Sequence, residues 1–262
     1  MPEEPIRFAN GAAYERMMGV WTRSVGDIFL DWLALPPRLA WVDIGCGTGA
    51  FTQLVVDRCM PSEIQGIDPS ESQLAFARER PAAKKAKFRL GDAMALPFED
   101  NHFDAAVMAL VLFFVPEPEK GVAEMMRVVR PGGTVAAYVW DIPNGGFPID
   151  PIIAELRAMG KTPVLPPSAD ISSLDALEAL WRRCGLEAVE VRSIAVERTF
   201  ADFEDYWLTT LGAGSLGDRI AAMPEAERGR LKDGARARLP AEKDGRIIQK
   251  AWANAAKGRV PQ

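Results

Sequence analysis

One pattern constrains the fold of this chain more than any other: between residues 39 and 140, short apolar runs alternate with stretches of helical periodicity. The predicted strands are LAWVDIG, SEIQGID, AKFRLGDA, FDAAVMALVLFFV and TVAAYVW, and the predicted helices include AFTQLVVDRC, SESQLAFARER and PEKGVAEMMRVVR. The fourth strand is apolar throughout, which is typical of a strand buried on both faces of a parallel sheet. The order β-α-β-α-β-α-β-α-β predicts an α/β fold with a doubly wound sheet.

The composition limits the classes of partner. The chain has 262 residues, of which 48% are hydrophobic, so a packed core is expected. Its formal net charge of -5 argues against nucleic acid as a partner. No apolar run has the length of a bilayer span, and the acidic start MPEEPIRF is unlike a secretory signal. The spacing of the 3 cysteines predicts neither a metal site nor a disulfide framework, and favours a reducing cytoplasm. The oligomeric state stays open.

Segments outside this region also carry periodic patterns. A first helix is predicted from about Ala12 to Leu35, and after residue 140 come the helical stretches IIAELRAMG, SLDALEALWRRCG, DFEDYWLTTL and PEAERGRLKDGARARL. LEAVEVRSIAVERTF alternates as a strand does, and GRIIQKAWANAAKG is predicted to be the last strand.

Three glycines follow the first strand directly. Gly45, Gly47 and Gly49 occupy every second position of DIGCGTGAF, at a strand-to-helix turn. Glycine adopts positive φ freely and lets a ligand approach the backbone closely. The free N–H groups of the following helix attract an anionic or strongly accepting group. The stretch therefore predicts a ligand site, although a turn needed only for packing would look the same.

Two aspartates end the next two strands. Asp68 closes GID and could accept hydrogen bonds from a ribose diol, or cap the following helix. Asp92, in GDA, could accept from the exocyclic amine of a base, or be a plain turn residue. Ligands of doubly wound sheets bind at the carboxyl ends of neighbouring strands. Together these residues favour a nucleoside with a polar tail, either a dinucleotide or S-adenosylmethionine, because the glycines also fit G-x-G-x-x-A through Ala50.

The motifs decide between these two ligands through a family resemblance. VDIGCGTGAFT, GIDPS and the run from FRLGDAMALPFEDNHFD to RVVRPGGTVAAYVW resemble, in order, the class I S-adenosylmethionine-dependent methyltransferases. The nearest group is methyltransferase type 11, which is similar to the ubiquinone/menaquinone-biosynthesis enzymes. The resemblance covers about Trp41 to Trp140, and YERMMGVWTR resembles the family's N-terminal lid helix.

The resemblance implies a Rossmann-like seven-stranded sheet in the order 3-2-1-4-5-7-6, with helices on both faces, an antiparallel hairpin at one edge and a helical lid. Residues 1–262 would then form a single methyltransferase domain. Within it, we expect a lid helix at 12–35, a cofactor-binding core at 41–140, and a variable acceptor-binding region with the closing hairpin at 141–262.

The resemblance also implies which positions hold the cofactor, S-adenosylmethionine. In chain order these are Tyr14 and Arg23 at its carboxylate, Asp43 as a brace of the loop, Gly45, Cys46, Gly47 and Gly49 against the methionine moiety, Asp68 at the ribose, Pro69, Asp92 and Ala93 at the adenine, and Leu110 and Val111 on the sulfonium side.

The reaction that this cofactor implies is an in-line displacement, which is accelerated mainly by alignment in a dry pocket. The catalytic residue stays unidentified; the weak candidates for a base are Asp141, Tyr138 and Tyr206. His102 is interpreted as a solvated turn residue. Two alternatives stay open: a protein that binds S-adenosylmethionine without methylating anything, and a nicotinamide-dependent oxidoreductase.

The expected acceptor is a small, largely apolar or aromatic molecule that is methylated on oxygen or carbon. LVLFFV stands where resembling N-methyltransferases carry an Asn-Pro-Pro-Tyr motif, which argues against exocyclic amines of bases. Residues 141–168 and DFEDYWLTTL are expected to cover the acceptor. The candidate lining residues are Phe113, Phe114, Trp140, Tyr206 and Trp207, although ordinary core and helix packing would account for these aromatic residues equally well.

Overall fold

Seven strands form one sheet in the order β3-β2-β1-β4-β5-β7-β6 in the computed structural model of the chain, which describes residues 15–212 and 215–262. The strands are β1 (Ala40–Ile44), β2 (Glu63–Asp68), β3 (Ala86–Leu90), β4 (Phe103–Ala109), β5 (Val129–Trp140), β6 (Glu187–Phe200) and β7 (Ile247–Arg259). The predicted strand order is confirmed.

The helices surround this sheet. The described chain begins with a π-helical turn, Glu15–Gly19, that leads into α1 (Val20–Leu33). Residues 12–14 of the predicted lid helix, including Tyr14, lie outside the described residues. The further α-helices are α2 (Ala50–Cys59), α3 (Glu71–Arg78), α4 (Pro118–Val128), α5 (Asp150–Ala158), α6 (Leu174–Arg183), α7 (Phe203–Leu211), α8 (Ser215–Ala221) and α9 (Glu225–Ala237), and short 3-10 turns lie at Pro81–Lys84, Leu112–Phe114 and Ala169–Ser172.

The five strands β1 to β5 are parallel, and β7 pairs antiparallel with both β5 and β6. Strand β1 lies inside the sheet between β2 and β4, and its Asp43 is level with Gly66 of β2 on one side and Val107 of β4 on the other. Because parallel strands end at the same edge of the sheet, the segments that follow β1, β2 and β4 meet there. The expected edge hairpin is confirmed as the β6–β7 pair, although α7 to α9 lie between its strands in the chain.

An aromatic cluster fixes α1 against the sheet. Phe29 of α1 packs on Tyr138 of β5 with ring centroids 4.8 Å apart, and Phe51 of α2 lies 5.9 Å from the same tyrosine. Trp21 contacts Trp140 edge to face at 6.0 Å. The turn that precedes α1 is thereby held beside the carboxyl end of β5.

The predicted alternation is wrong at one place: the structure describes no helix between β3 and β4, where residues 91–102 form turns. Arg127 of α4 replaces the missing helical hydrogen bonds, because its guanidinium donates to the carbonyls of Leu96 (2.9 Å) and Phe98 (2.8 Å) and pairs with Glu124. Its own carbonyl accepts from the N–H of Asn101 at 2.9 Å. A side chain from α4 therefore holds the turns of residues 91–102 in place.

We therefore expect Arg127→Lys to lower the free energy of unfolding by about 1–3 kcal/mol, because an ammonium cannot reproduce the planar fork that reaches two carbonyls. Urea unfolding measures the change. The matched control is Arg183→Lys, since Arg183 forms only an exposed ion pair with Glu119 and should change stability by less than about 0.5 kcal/mol. Equal effects of the two substitutions would contradict the role given to Arg127.

Candidate active site

The glycine loop after β1 is a left-handed turn tied to the neighbouring strand. Gly45, Gly47 and Gly49 have φ values of 72°, 51° and 76°, a region that other residues adopt only under strain. The N–H groups of Gly45 and Cys46 both donate to the carbonyl of Ile67, at 2.6 and 2.9 Å. The loop therefore lies across the carboxyl end of β2, as predicted for a strand-to-helix turn.

The three glycines have different surroundings. A Cβ on Gly45 would stand 2.4 Å from a methyl of Val111, and one on Gly49 would stand 3.2 Å from the Cβ of Ala77. A Cβ on Gly47 would meet no atom of residues 15–212 and 215–262 within 4 Å. Packing thus accounts for the outer two glycines, whereas Gly47 presents its backbone to open space that a ligand can enter.

Asp68 is the side chain that holds this exposed part of the loop. Its Oδ2 accepts from the N–H of Gly47 at 2.9 Å, and its Oδ1 accepts from the N–H of Ser70, the residue before α3, at 2.8 Å. Burial raises the pKa of Asp68, and these two hydrogen bonds oppose the shift. The structure places Asp68 at the glycine loop and at the turn that leads into α3, whose N-cap is Ser70. Each carboxylate oxygen keeps a further lone pair for a hydroxyl donor.

Asp43 lies beneath the loop, almost fully buried at 1% exposure. Its Oδ2 accepts from the hydroxyl of Thr52 at 2.6 Å, while its Oδ1 has no hydrogen-bond partner among the described residues. Burial raises the pKa of Asp43 to about 7, against the hydrogen bond from Thr52 and with a contribution from the charge of Asp68. Folding therefore favours the protonated form of this carboxyl group.

Four other predicted cofactor residues near the loop differ in burial and hydrogen bonding: Cys46, Pro69, Asp92 and Ala93. Cys46 is buried, and burial raises the pKa of its thiol. Pro69 is exposed directly after Asp68. Asp92 is exposed and its Oδ1 accepts from the N–H of Met94 at 2.8 Å, as in a plain turn, with half-buried Ala93 between them.

Leu110 and Val111 connect the loop to a cavity. Leu110, the residue after β4, has a φ of 61°, an uncommon conformation for a residue with a side chain. Its N–H donates to the carbonyl of Tyr138 at 2.8 Å, while Val111 packs on Gly45. This turn aims the Leu110 side chain into the cavity and its neighbour at the glycine loop.

The cavity has a volume of about 500 Å³ and is largely apolar. Its walls come from the turn before α1, the segment after β4, the end of β5, α5, residues 161–166 and α8 with the residues that follow it. The lining residues are Met17, Met18, Leu110, Phe113, Phe114, Trp140, Phe147, Ile149, Ile153, Leu156, Lys161, Thr162, Pro163, Val164, Pro166, Leu216, Arg219, Ile220, Ala222 and Met223.

Only part of the expected aromatic pocket lines this cavity. Phe113, Phe114 and Trp140 are among its walls, as is much of the 141–168 region. Tyr206 instead borders a small neighbouring pocket, and Trp207 packs in a second hydrophobic cluster with Phe203. The DFEDYWLTTL segment does not contribute to the lining; α8 and the residues after it, which no sequence pattern indicated, take its place.

None of the three candidate bases lines the cavity. Asp141 is buried and accepts from the side-chain amide of Asn144 at 2.9 and 3.2 Å. Tyr138 is in the core, and its hydroxyl donates to the carbonyl of Thr22 at 3.3 Å. The Tyr206 hydroxyl donates to the Pro148 carbonyl at 3.3 Å, and burial raises its pKa.

His102 lies at the opposite edge of the sheet. It precedes β4, and its Nε2 is 3.2 Å from a carboxylate oxygen of Glu63, the first residue of β2. Its side chain is 39% exposed, so the interpretation as a solvated turn residue is confirmed. Within residues 15–212 and 215–262, no group of His, Cys, Asp and Glu side chains could hold a metal ion.

Arg23 forms part of a charged cluster that the sequence did not reveal. It pairs with Glu15, whose carboxylate also accepts from Arg80 and from the hydroxyl of Thr48 in the glycine loop. Burial would raise the pKa of Glu15, but these hydrogen bonds and the charge of Arg80 lower it overall. Glu15 and Arg80 are 65 residues apart in the chain, and neither lies in a motif that signals the contact.

Comparison with known proteins agrees with this architecture. A family model described as a methyltransferase domain matches residues 42–137. The chain is 35% identical over 178 residues to a demethylmenaquinone methyltransferase of Desulfitobacterium hafniense. This alignment covers 61% of this chain and 70% of that protein. It is 35% identical over 136 residues to the ubiquinone/menaquinone biosynthesis C-methyltransferase UbiE of Dinoroseobacter shibae, over 50% of this chain and 54% of that protein.

Among solved structures, the YcgJ protein of Bacillus subtilis superimposes with a TM-score of 0.61 over 92% of this chain and 99% of that one, and its 16% identity makes this a likeness of fold. The sheet order and the glycine loop after β1 are those expected of the class I S-adenosylmethionine-dependent methyltransferases, and the family model and the relatives show this class. The chain belongs to the methyltransferase domain family, in the group of the ubiquinone/menaquinone biosynthesis enzymes. Its cofactor is S-adenosylmethionine, as the motifs predicted.

One further property of the described residues is that no helix combines the length and the apolar character needed to cross a membrane.

The raised pKa of Asp43 predicts a pH effect on stability. Between the pKa of an unfolded aspartate and about 7, the folded state holds a proton that the unfolded chain releases, so stability falls as the pH rises. Relative to Asp43→Asn, we expect the free energy of unfolding of the wild type to fall by roughly 2–3 kcal/mol between about pH 5 and pH 8.

Urea titrations of both proteins at the two pH values give this difference directly. Asp57→Asn is the control, because Asp57 is exposed on α2 and should show no such trend. A pH-independent difference between wild type and Asp43→Asn would mean that the buried carboxyl group is already ionised in the folded protein.

Proposed function

We propose that this chain transfers a methyl group from S-adenosylmethionine to oxygen or carbon of a small, largely apolar acceptor. The observation that carries the proposal is the apolar cavity of about 500 Å³ that begins at Leu110, one residue from the contact between Val111 and the glycine loop. In this proposal, residues 41–140 hold the cofactor, and the walls of the acceptor site come from the N-terminal turn, the segment after β4 and residues of the 141–262 region.

The residues around the loop fit such a cofactor. The space above Gly47 would be filled by any side chain at that position, and the Asp68 carboxylate lies at the edge of this space with lone pairs available to a ribose diol. We assign Asp92 and Ala93 to the adenine edge, since the N–H of Gly91 donates to the Asp68 carbonyl at 3.2 Å and keeps the end of β3 beside Asp68. The bound cofactor supplies an electrophilic methyl group.

The cavity walls favour an aromatic or otherwise apolar acceptor. Phe113, Phe114 and Trp140 offer ring faces and edges, and Met17 and Met18 offer adaptable apolar contacts. The relatives support the same class by their names, which refer to demethylmenaquinone and to ubiquinone/menaquinone biosynthesis. An aromatic ring of the quinone or hydroquinone type is therefore the acceptor class that we propose.

The lining also suggests how the chain contributes to the reaction. Its ionisable side chains are Lys161 and Arg219, and among the described lining residues there is no Asp, Glu, His or Tyr that could take a proton. Lys161 is paired with Glu227 at 2.6 Å, outside the lining. The side chains would thus align the acceptor, exclude water and stabilise an oxygen that is already ionised, which accounts for rate acceleration without a base.

A labelled-methyl transfer assay tests the class of acceptor. The protein is incubated with labelled S-adenosylmethionine and, in parallel, with a metabolite extract, total RNA, total protein and a set of alkylated hydroquinones. We expect label in the hydroquinones and in the apolar metabolite fraction. Label only in RNA or protein would contradict the proposal, and tight cofactor binding without transfer to any fraction would favour a binding protein.

If Asp68 binds the ribose of the cofactor, a substitution of Asp68 should weaken cofactor binding strongly. Asp68→Asn keeps the shape of the side chain but removes the charge that strengthens hydrogen bonds to hydroxyls, so we expect S-adenosylhomocysteine to bind about tenfold to a hundredfold more weakly. Calorimetric titration measures the affinity, and Asp57→Asn on the exposed surface of α2 serves as the control. Unchanged affinity together with a lower melting temperature would restrict Asp68 to holding the glycine loop and the turn before α3.

A substitution that fills the cavity should reduce methyl transfer without reducing cofactor binding. Val164 lies in the loop at 161–166 and is half-buried at the cavity wall, so Val164→Trp should place an indole inside. We expect methyl transfer to fall at least about tenfold, because the acceptor can no longer be aligned. The control is Leu208→Trp, at a position 64% exposed on α7. Equal activity of the two variants would place the acceptor elsewhere.

A further inference from the structure

The π-helical turn Glu15–Gly19, in the region predicted to form a lid, brings an acidic side chain to the glycine loop. Glu15 folds back over Gly19, where a Cβ would meet the Glu15 carboxyl group. The turn is anchored from behind, because Arg198 donates to the carbonyls of Arg16 (2.8 Å) and Met17 (3.0 Å). The backbone of the turn is therefore held while the Glu15 side chain reaches forward.

The Glu15 carboxylate has three partners that together form an anion site. Oε1 accepts from Nη1 of Arg23 at 2.5 Å, and Oε2 accepts from Nη2 of Arg80 at 2.5 Å and from Oγ1 of Thr48 at 3.0 Å. Nε of Arg80 also donates to the carbonyl of Thr48, which fixes the guanidinium to the loop. The Glu15 and Arg80 side chains are only 19% and 14% exposed, so these contacts are partly shielded from water.

The charges at this site do not cancel. Two guanidinium groups face one carboxylate, and within the part of the chain that the structure describes, neither Arg23 nor Arg80 has another acidic partner. Thr48 lies between Gly47 and Gly49, so the anion site is one residue away from the backbone that faces open space. A ligand that occupies this space and carries a carboxylate would meet the same three donors.

We propose that Glu15 occupies the subsite for the α-carboxylate of the cofactor and is displaced when the cofactor binds. The inference rests on the proposed cofactor site. A side-chain carboxylate and an amino-acid carboxylate present the same two acceptor oxygens and the same charge to Arg23, Arg80 and Thr48. Since Arg198 holds the backbone of the turn, rotation of the Glu15 side chain is sufficient to vacate the subsite. Glu15 thus acts as an internal competitor that lowers the apparent affinity for the cofactor.

A comparison of two ligands distinguishes competition by Glu15 for the carboxylate subsite from a general effect of Glu15 on cofactor binding. S-adenosylhomocysteine carries the α-carboxylate, whereas 5′-methylthioadenosine has the same nucleoside and thioether without the amino-acid part. Calorimetry should show that Glu15→Gln binds S-adenosylhomocysteine about tenfold more tightly than the wild type, with unchanged affinity for 5′-methylthioadenosine. The matched control is Glu71→Gln, which removes an exposed glutamate paired with Arg78 and should alter neither affinity.

Other outcomes would overturn the inference. If Glu15→Gln weakens S-adenosylhomocysteine binding, leaves it unchanged or shifts both ligands equally, Glu15 is a structural member of the site. Should that variant fail to fold, Arg80→Gln provides the second test, since it should weaken S-adenosylhomocysteine at least about tenfold more than 5′-methylthioadenosine. Equal losses for the two ligands would again overturn it. A wild type that binds neither ligand would instead contradict the proposed cofactor site itself.

Discussion

The hydrogen bonds between the glycine loop and the end of β2 are the interaction on which the site depends. The carbonyl of Ile67 receives two N–H groups of the loop, and Asp68 receives a third, from Gly47. These bonds require the left-handed backbone that glycine adopts without strain. They hold two parallel strands and the start of α2 in one arrangement, so that a ligand meets a rigid backbone and a carboxylate whose position is already set.

A polar site and an apolar cavity lie next to each other at the carboxyl edge of the sheet, and methyl transfer needs both. On one side are the polar loop, the buried Asp43 and the charged cluster around Glu15, and on the other is an apolar cavity with aromatic walls. Leu110 and Val111 form the boundary, at the price of an unfavourable φ at Leu110. Strain of this kind is retained where the surrounding structure imposes it, and it is common at functional sites.

Much of this arrangement could be predicted from local patterns. Apolar runs and helical periodicity identified the strands and most helices, and the resemblance supplied the order of the strands. The alternation of strands and helices predicted a helix between β3 and β4 that the described part of the chain does not have. There, Arg127 of α4 donates hydrogen bonds to backbone carbonyls of the segment, and no local pattern indicates this contact. The candidate bases illustrate a further limit: Tyr138 and Tyr206 lie in the expected region of the chain, but their hydroxyl groups bond to backbone carbonyls away from the cavity.

The chain's order of residues was enough to specify the left-handed turn and the aspartate at the end of β2, since each depends on neighbours in the chain. The class of cofactor followed from the family resemblance of the motifs. Folding alone decided which distant residues meet. Glu15 reaches Thr48 and Arg80, and Met17 shares a cavity with Leu110 and Arg219, because α1 packs on β5 and because α8 lies over the carboxyl edge. These residues are far apart in the chain and come into contact only when the helices pack on the sheet. Local sequence patterns therefore do not predict such contacts.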